Sequence, residues 1–184
     1  MIQDKPRQRA RPRLRHPIPQ EQRALKGLQH YRQWDSGYSQ QQATRPQTLG
    51  YGLSDSPVGQ AAWILEKFWA WTDHDGDPLA LLDRDALLDN VMLYWLTNSA
   101  ASSARIYWES FRPGSRNTAP VGVPTGVAVF PKEIVAPVRR WMEPDFPHIQ
   151  HWTEMPRGGH FAAFEQPALL VEDVRAFFRP LRPA

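Results

Sequence analysis

Residues 121–182 hold two strand-length segments, each followed by a helical one. VGVPTGVAVF (121–130) is apolar and β-branched without polar alternation, the pattern of a strand covered on both faces. Pro131-Lys132-Glu133 ends it, and a helical stretch around APVRRWM follows. HIQHWTEM (148–155) is a second strand, and PALLVEDVRAFFRPL has proline near its start and Leu170, Val174 and Phe177 at helical spacing. Strand, helix, strand, helix is the order of an α/β sheet with right-handed crossovers. A sheet of only two strands leaves a broad apolar edge and face, so the chain alone is expected to be marginally stable or prone to aggregate.

The residues before this unit read as helices. EQRALKGLQHYRQW spaces Ala24, Leu25, Leu28 and Tyr31 at helical intervals, predicting a helix from Gln20 to about Trp34. Asp35 to Leu53 is rich in Gly, Gln, Ser and Thr with neither helical nor strand period, and is expected to be a long connecting loop. Asp55-Ser56-Pro57 opens a helix that runs to Trp71, with a capping residue followed by proline at the first helical position. Asp83 or Asp85 can cap a further helix through LLDNVMLYWLTNSAASSARIYWESF, apolar on nearly all sides in its first half, which argues for burial between other elements. RPGSRNTAP breaks the helical half from the α/β half.

With 184 residues, 41% of them hydrophobic, the chain suits one ordinary domain or part of one. It has no cysteine, so a disulfide framework and a thiolate metal site are excluded. No apolar run reaches the ~18 residues that cross a bilayer, and the N-terminus lacks the apolar segment of a secretory signal. The expectation is a cytoplasmic protein without a membrane partner. The net charge of +3 is local: residues 1–16 hold six of the 22 basic residues and one of the 19 acidic ones, leaving 16 against 18 elsewhere. This Pro/Arg-rich tail reads as disordered or as a nucleic-acid contact; the first reading is adopted, with no nucleic-acid partner expected.

In α/β sheets, functional groups collect beyond the carboxyl ends of the strands. Glu133 and His160 occupy that position after the two successive strands. A histidine can take a proton from water near neutral pH when a carboxylate fixes its tautomer and stabilises the imidazolium. The competing reading makes Glu133 the acid at a helix N-terminus and His160 a residue that merely follows a Gly-Gly turn. The other carboxylates near His160 are Glu143, Asp145 and Glu154, with poorer placement. Asp73-His74-Asp75-Gly76-Asp77 places glycine fourth where a calcium loop needs it sixth, and His148, His151 and Glu154 are spaced for opposite faces of a strand. Neither a metal nor a cofactor is expected. No G-x-[S/D/C]-x-G nucleophile elbow occurs; Gly52-Leu53-Ser54-Asp55-Ser56 lacks the second glycine.

Four longer motifs carry a resemblance. DSPVGQAAWILEKFWAW, LLDNVMLYWLTNSAASSARIYWE, VPTGVAVFPKEI and EMPRGGHFAAFEQPALLVEDVRAFFRPL together resemble the C-terminal half of a microsomal-type epoxide hydrolase, over roughly residues 21 to 182. The resemblance implies an α/β fold: the C-terminal part of an α/β-hydrolase, a helical lid segment followed by the last two strands and helices of a mostly parallel sheet. It divides the chain into a disordered basic tail (1–19), a lid (20–112) and part of the core (113–184). In that family an elbow aspartate opens an epoxide to give an alkyl ester. A histidine paired with an acid then activates the water that releases a vicinal diol, and two lid tyrosines hydrogen-bond the epoxide oxygen.

By that resemblance His160 matches the base, Glu133 its acid, and Tyr107 and Tyr38 the two tyrosines. Read from the residues alone, Tyr107 also fits a core aromatic and Tyr38 a packed loop residue. Ala100, Ser103 and Ala104 would leave room beside Tyr107, whereas Phe161, Trp63 and Trp95 read as packing. The family's elbow aspartate, oxyanion loop, central strands and membrane anchor match nothing in the chain. The sequence is therefore expected to be a fragment. Its partners would be a small epoxide and either a missing N-terminal half or another copy of itself. The alternative is a non-catalytic remnant or association module that packs on another chain.

Overall fold

The computed structural model describes residues 17–112, 115 and 119–182. The disorder expected of the basic tail concerns residues that lie, but for the last three, outside this range.

The expected α/β unit is present, with shorter elements. Strand β1 is Thr125–Val129 and β2 is Ile149–Glu154, and the two pair in parallel, Val127 beside Trp152 and Val129 beside Glu154. Between them the helical stretch is a single turn, α7 (Arg139–Met142), preceded by Val138 in an extended conformation. Glu133 stands in a turn and not at a helix N-terminus. Helix α9 (Pro167–Phe178) covers one face of the sheet: the Phe177 ring fills the space beside Gly126, and His151 Nε2 lies 2.7 Å from Asp173 Oδ1. The expectation of a strand covered on both faces fails over residues 121–124, where Val123 is 62% exposed.

The helical half starts with α1 (Pro19–His30), which continues as a wider π-turn through Tyr31–Asp35. Glu21, fully buried, forms an ion pair with Arg140 and accepts the Ile18 N–H at 3.0 Å, which ties α1 to α7. Residues 35–53 are not a loop. They form α2 (Gly37–Thr44) and α3 (Pro46–Asp55), which pack against α6 (Ala100–Phe111). On α2 the hydrophobic period is missing because the buried side is polar, and α3 buries only Gly50 and Leu53. Ser39 and Gln42 are buried with partners: Ser39 Oγ donates to Ser36 O, and Gln42 Oε1 accepts from Trp63 Nε1 at 3.1 Å. A satisfied polar group can be buried at little cost, so burial here leaves no apolar signature.

Helix α4 (Pro57–Trp71) begins as expected, with the Ser56 hydroxyl accepting the Gly59 N–H. The single helix expected after Asp83 is two. Asp83 caps α5 (Arg84–Leu96), the chain turns at Asn98 with φ +50°, and α6 follows. Asparagine tolerates this left-handed conformation, and Thr97 Oγ1 bonds back to Leu93 O at 2.6 Å, which closes the helix end. The expected burial of α5 holds on one side only: Leu87 and Val91 are buried, but Leu93 and Leu96 are 66% and 75% exposed. No element among the described residues covers that face. The core joins Phe68, Leu82 and Leu87 to Phe161, so lid and α/β unit share one apolar cluster.

Helices α3 and α6 meet at Gly50, where an added Cβ would lie 2.4 Å from Ala101 Cβ, while Gly52 on the same helix faces open space. Gly50→Ala should lower stability by about 1–3 kcal/mol through overpacking, and Gly52→Ala should be neutral or raise it by up to ~1 kcal/mol. Urea unfolding of the two variants checks the pair. Equal effects would refute the close approach.

Candidate active site

The two strands end side by side, and both chemically interesting residues follow directly. Beyond β1 and β2 the parallel pairing extends by one bridge, Lys132 to Gly159, with Lys132 N–H donating to Gly158 O at 3.0 Å. One residue further along each strand come Glu133 and His160. Their side chains meet: His160 Nδ1 lies 2.8 Å from Glu133 Oε1. The same carboxylate oxygen accepts the Ile134 N–H at 2.8 Å. Partial burial raises the Glu133 carboxyl, but the hydrogen bond and charge of His160 and the Ile134 N–H outweigh it. The carboxyl is held below its ordinary range.

Two glycines set the histidine's position. Gly158 has φ +110°, a conformation that L side chains rarely adopt, and a Cβ on Gly159 would sit 2.5 Å from Trp71 O. Chain of any other composition could not come this close to the end of α4. His160 is thereby brought against the lid, its ring 5.2 Å from that of Trp71 and 5.1 Å from that of Phe161.

From His160 a run of aromatic rings leads into the lid. Trp71 meets Tyr38 edge-on at 5.3 Å, and Tyr38 meets Tyr107 at 5.6 Å. Tyr38 is not a loop residue but lies in the first turn of α2, and Tyr107 lies on α6. Burial, together with hydrogen bonds to Tyr31 and Tyr107 and the charge each would add, pushes the Tyr38 hydroxyl above the ordinary phenol range. It therefore remains an O–H donor at any physiological pH.

His160, Tyr38 and Tyr107 all line one cavity of about 390 Å³ between lid and α/β unit. Its walls are apolar and aromatic, with Phe68, Trp71, Phe161 and Phe164 prominent, and with space beside Tyr107 at Ala100 and Ser103. Ala104 is buried behind them. Phe161 and Trp63, which the sequence suggested as packing residues, also form part of this wall, while Trp95 does not line it. Glu133 stands behind His160 and opens on the opposite side, into a separate depression with Lys132 and Ile134. Such a site has the features of a small-molecule pocket: mostly apolar walls and a few convergent polar groups. The Nδ1 contact with Glu133 leaves Nε2 of the same ring to accept a proton.

Four participants escaped the sequence. Lys67 places its ammonium 4.8 Å from the Tyr38 ring centre and 5.1 Å from that of Trp71, and also pairs with Glu66 at 2.6 Å. The Trp71 indole N–H is buried without a partner among the described residues. Asp73 and Glu165 hold the backbone on either side of His160. The buried tryptophan could be read from its helical spacing, but nothing in the pattern distinguishes Lys67, Asp73 or Glu165 from solvated charges. His151, considered as a metal ligand, instead meets Asp173 and Thr153, and Glu154 accepts from Gln20.

No family model matches the chain. Individual proteins do. A Stigmatella aurantiaca protein, provisionally named an epoxide hydrolase, is 54% identical over 165 residues, covering 89% of this chain and 37% of its own length. Epoxide hydrolase 1 of Sus scrofa is 43% identical over 153 residues, 78% of this chain and 34% of its own. The solved structure of Aspergillus niger epoxide hydrolase superposes with a TM-score of 0.76 at 28% identity, over 90% of this chain and 41% of that one. The chain thus spans little more than a third of the length of the curated relatives it matches. By sequence and by fold the chain is similar to epoxide hydrolases of the α/β-hydrolase fold, over part of their length.

Proposed function

We propose that this chain carries the water-activating and oxygen-binding half of an epoxide hydrolase, whose nucleophilic carboxylate is supplied by a segment outside the given sequence. The observation that carries the proposal is the convergence of His160, Tyr38 and Tyr107 on one cavity, with Glu133 bonded to His160 from behind.

The reaction divides into two steps. A carboxylate oxygen attacks one epoxide carbon; a new C–O bond forms, the strained ring C–O bond breaks, and the departing oxygen accumulates charge. Tyr38 and Tyr107 donate their hydroxyls to that oxygen, and the product is an alkyl ester. His160 Nε2 then removes a proton from water, and the hydroxide attacks the ester carbonyl. The acyl C–O bond cleaves as the imidazolium returns its proton to the departing ester oxygen; the proton left on the freed carboxyl passes to the ring oxygen held by the tyrosines, so the vicinal diol leaves and the carboxylate is restored. Glu133 keeps Nδ1 protonated, which selects the tautomer with Nε2 free, and balances the imidazolium while it exists. Preformed donors and an apolar wall supply the electrostatic part of the catalysis, because there is little water to compete with them.

The second reading, a non-catalytic module that packs on another chain, draws support from the exposed apolar face of α5. It separates from the first in an assay. The 184-residue chain alone should form no diol from an aryl or alkyl epoxide. Combined with a polypeptide supplying the missing part of the fold, taken from a relative, it should form diol, and His160→Ala should abolish this. Tyr107→Phe should slow turnover by roughly 10²–10³-fold, as loss of one oxyanion donor does. Diol formation by the reassembled protein that is indifferent to His160→Ala would exclude the proposed role.

The pairing also has a pH signature. Because folding lowers the Glu133 carboxyl, its contribution to stability is present above the unfolded carboxyl range near pH ~4.3 and is lost as pH falls through the lower folded value. Partial exposure limits that contribution to below about 1 kcal/mol. Thermal melts between pH 3 and 6 should show a smaller acid-side decline in Glu133→Gln than in the parent. Parallel curves would contradict the pairing.

A further inference from the structure

The segment Gly158 to Phe161 makes neither helix nor strand, yet each of its four consecutive backbone N–H groups has a defined acceptor. Gly158 N–H donates to Asp73 Oδ2 at 2.8 Å. Gly159 N–H donates to Glu165 Oε2 at 2.8 Å, His160 N–H to Trp71 O at 2.9 Å, and Phe161 N–H to Glu165 Oε1 at 3.0 Å. Glu165 Oε2 also accepts the Asp73 N–H at 2.7 Å. The acceptors come from two places only: the end of α4 with the residues just after it, and Glu165 at the end of the short helix α8 (Ala162–Glu165).

Glu165 is 5% exposed, and its contacts are the three backbone N–H groups of Asp73, Gly159 and Phe161. Among the described residues no cation is paired with it. Burying a carboxylate is expensive, and these charge-assisted bonds are what compensate it. Packing alone does not call for a carboxylate at this position; an apolar side chain would fill the space without the desolvation penalty. What the carboxylate adds is two oxygens at fixed separation, one for the N–H before His160 and one for the N–H after it.

We propose that Glu165 and Asp73 are positioning residues for His160: together they clamp the backbone on both sides of it, setting the ring against Glu133 on one side and the cavity on the other. The clamp also makes the end of the lid helix α4 part of the histidine's mounting, so lid and base move as one body. The inference rests on the reading of His160 as the base, but its test needs no epoxide, so the two can fail separately.

The test uses the full 184-residue chain. Hydrogen exchange of the peptide spanning residues 157–166 should speed up about tenfold or more in Glu165→Gln, whose amide NH₂ would face an N–H donor, with little change in α9. With ¹⁵N-labelled histidine, the slowly exchanging Nδ1–H signal of His160 should be seen in the parent and lost in this variant. Asp73→Ala should show the same two effects at Gly158 and His160, and Asp73→Asn, which retains one carbonyl acceptor, should restore both. Should Glu165→Gln fail to fold, the Asp73 pair decides. Unchanged exchange and an unchanged His160 signal in folded Glu165→Gln, or in Asp73→Ala, would overturn the proposal.

Discussion

Parallel pairing of two short strands is the constraint on which the site depends. Because β1 and β2 run the same way and end at the same level, the residues that follow them emerge side by side, and the Lys132–Gly159 bridge carries that alignment one step further. Glu133 and His160 are 27 residues apart in sequence, yet their 2.8 Å contact follows from register. A slip of either strand by one residue would turn the alternate side chains to the other face and separate the pair. The covering helix protects that register: Phe177 against Gly126 and Asp173 against His151 fix α9 across both strands.

The lid completes what the strands begin. Helix α2, with its polar buried side, and helix α3, through Gly50, are held against α6, so Tyr38 and Tyr107, from helices far apart in sequence, bring their rings to within 5.6 Å. Trp71 links these rings to His160, and Phe161 stacks on Phe68 at 4.1 Å, so the cavity wall is also the core that joins lid to sheet. Site and core being built from the same side chains, a change in one should be felt in the other.

Much of this was legible in the sequence, and what was missed has physical causes. Both strands, their order and the two residues beyond their ends follow from apolar runs and the Gly-Gly turn. The Ser56 and Asp83 caps follow from residue chemistry. Helix α2 shows no hydrophobic period because Ser39 and Gln42 are buried as satisfied polar groups, and α3 buries only Gly50 and Leu53, too few positions to set one. The break at Asn98 was missed because a left-handed turn leaves only a Thr-Asn-Ser signature inside a long helical pattern. The two tyrosines came from resemblance, since spacing alone cannot say which aromatic lines a cavity. Asp73 stands out only as the start of a run that does not fit calcium, and Glu165 not at all: their partners are backbone N–H groups, which nearly every residue has.

The central claim is that His160 serves the hydrolytic step and not the ring opening. Intact-protein mass spectrometry tests it most directly, on the chain combined with the missing part of the fold and exposed to a single equivalent of epoxide. With His160→Ala the nucleophile-bearing polypeptide should gain the mass of the epoxide and keep it, while the parent should return to its original mass within the turnover time. An adduct that clears at the same rate in both, or that forms in neither, would contradict the account.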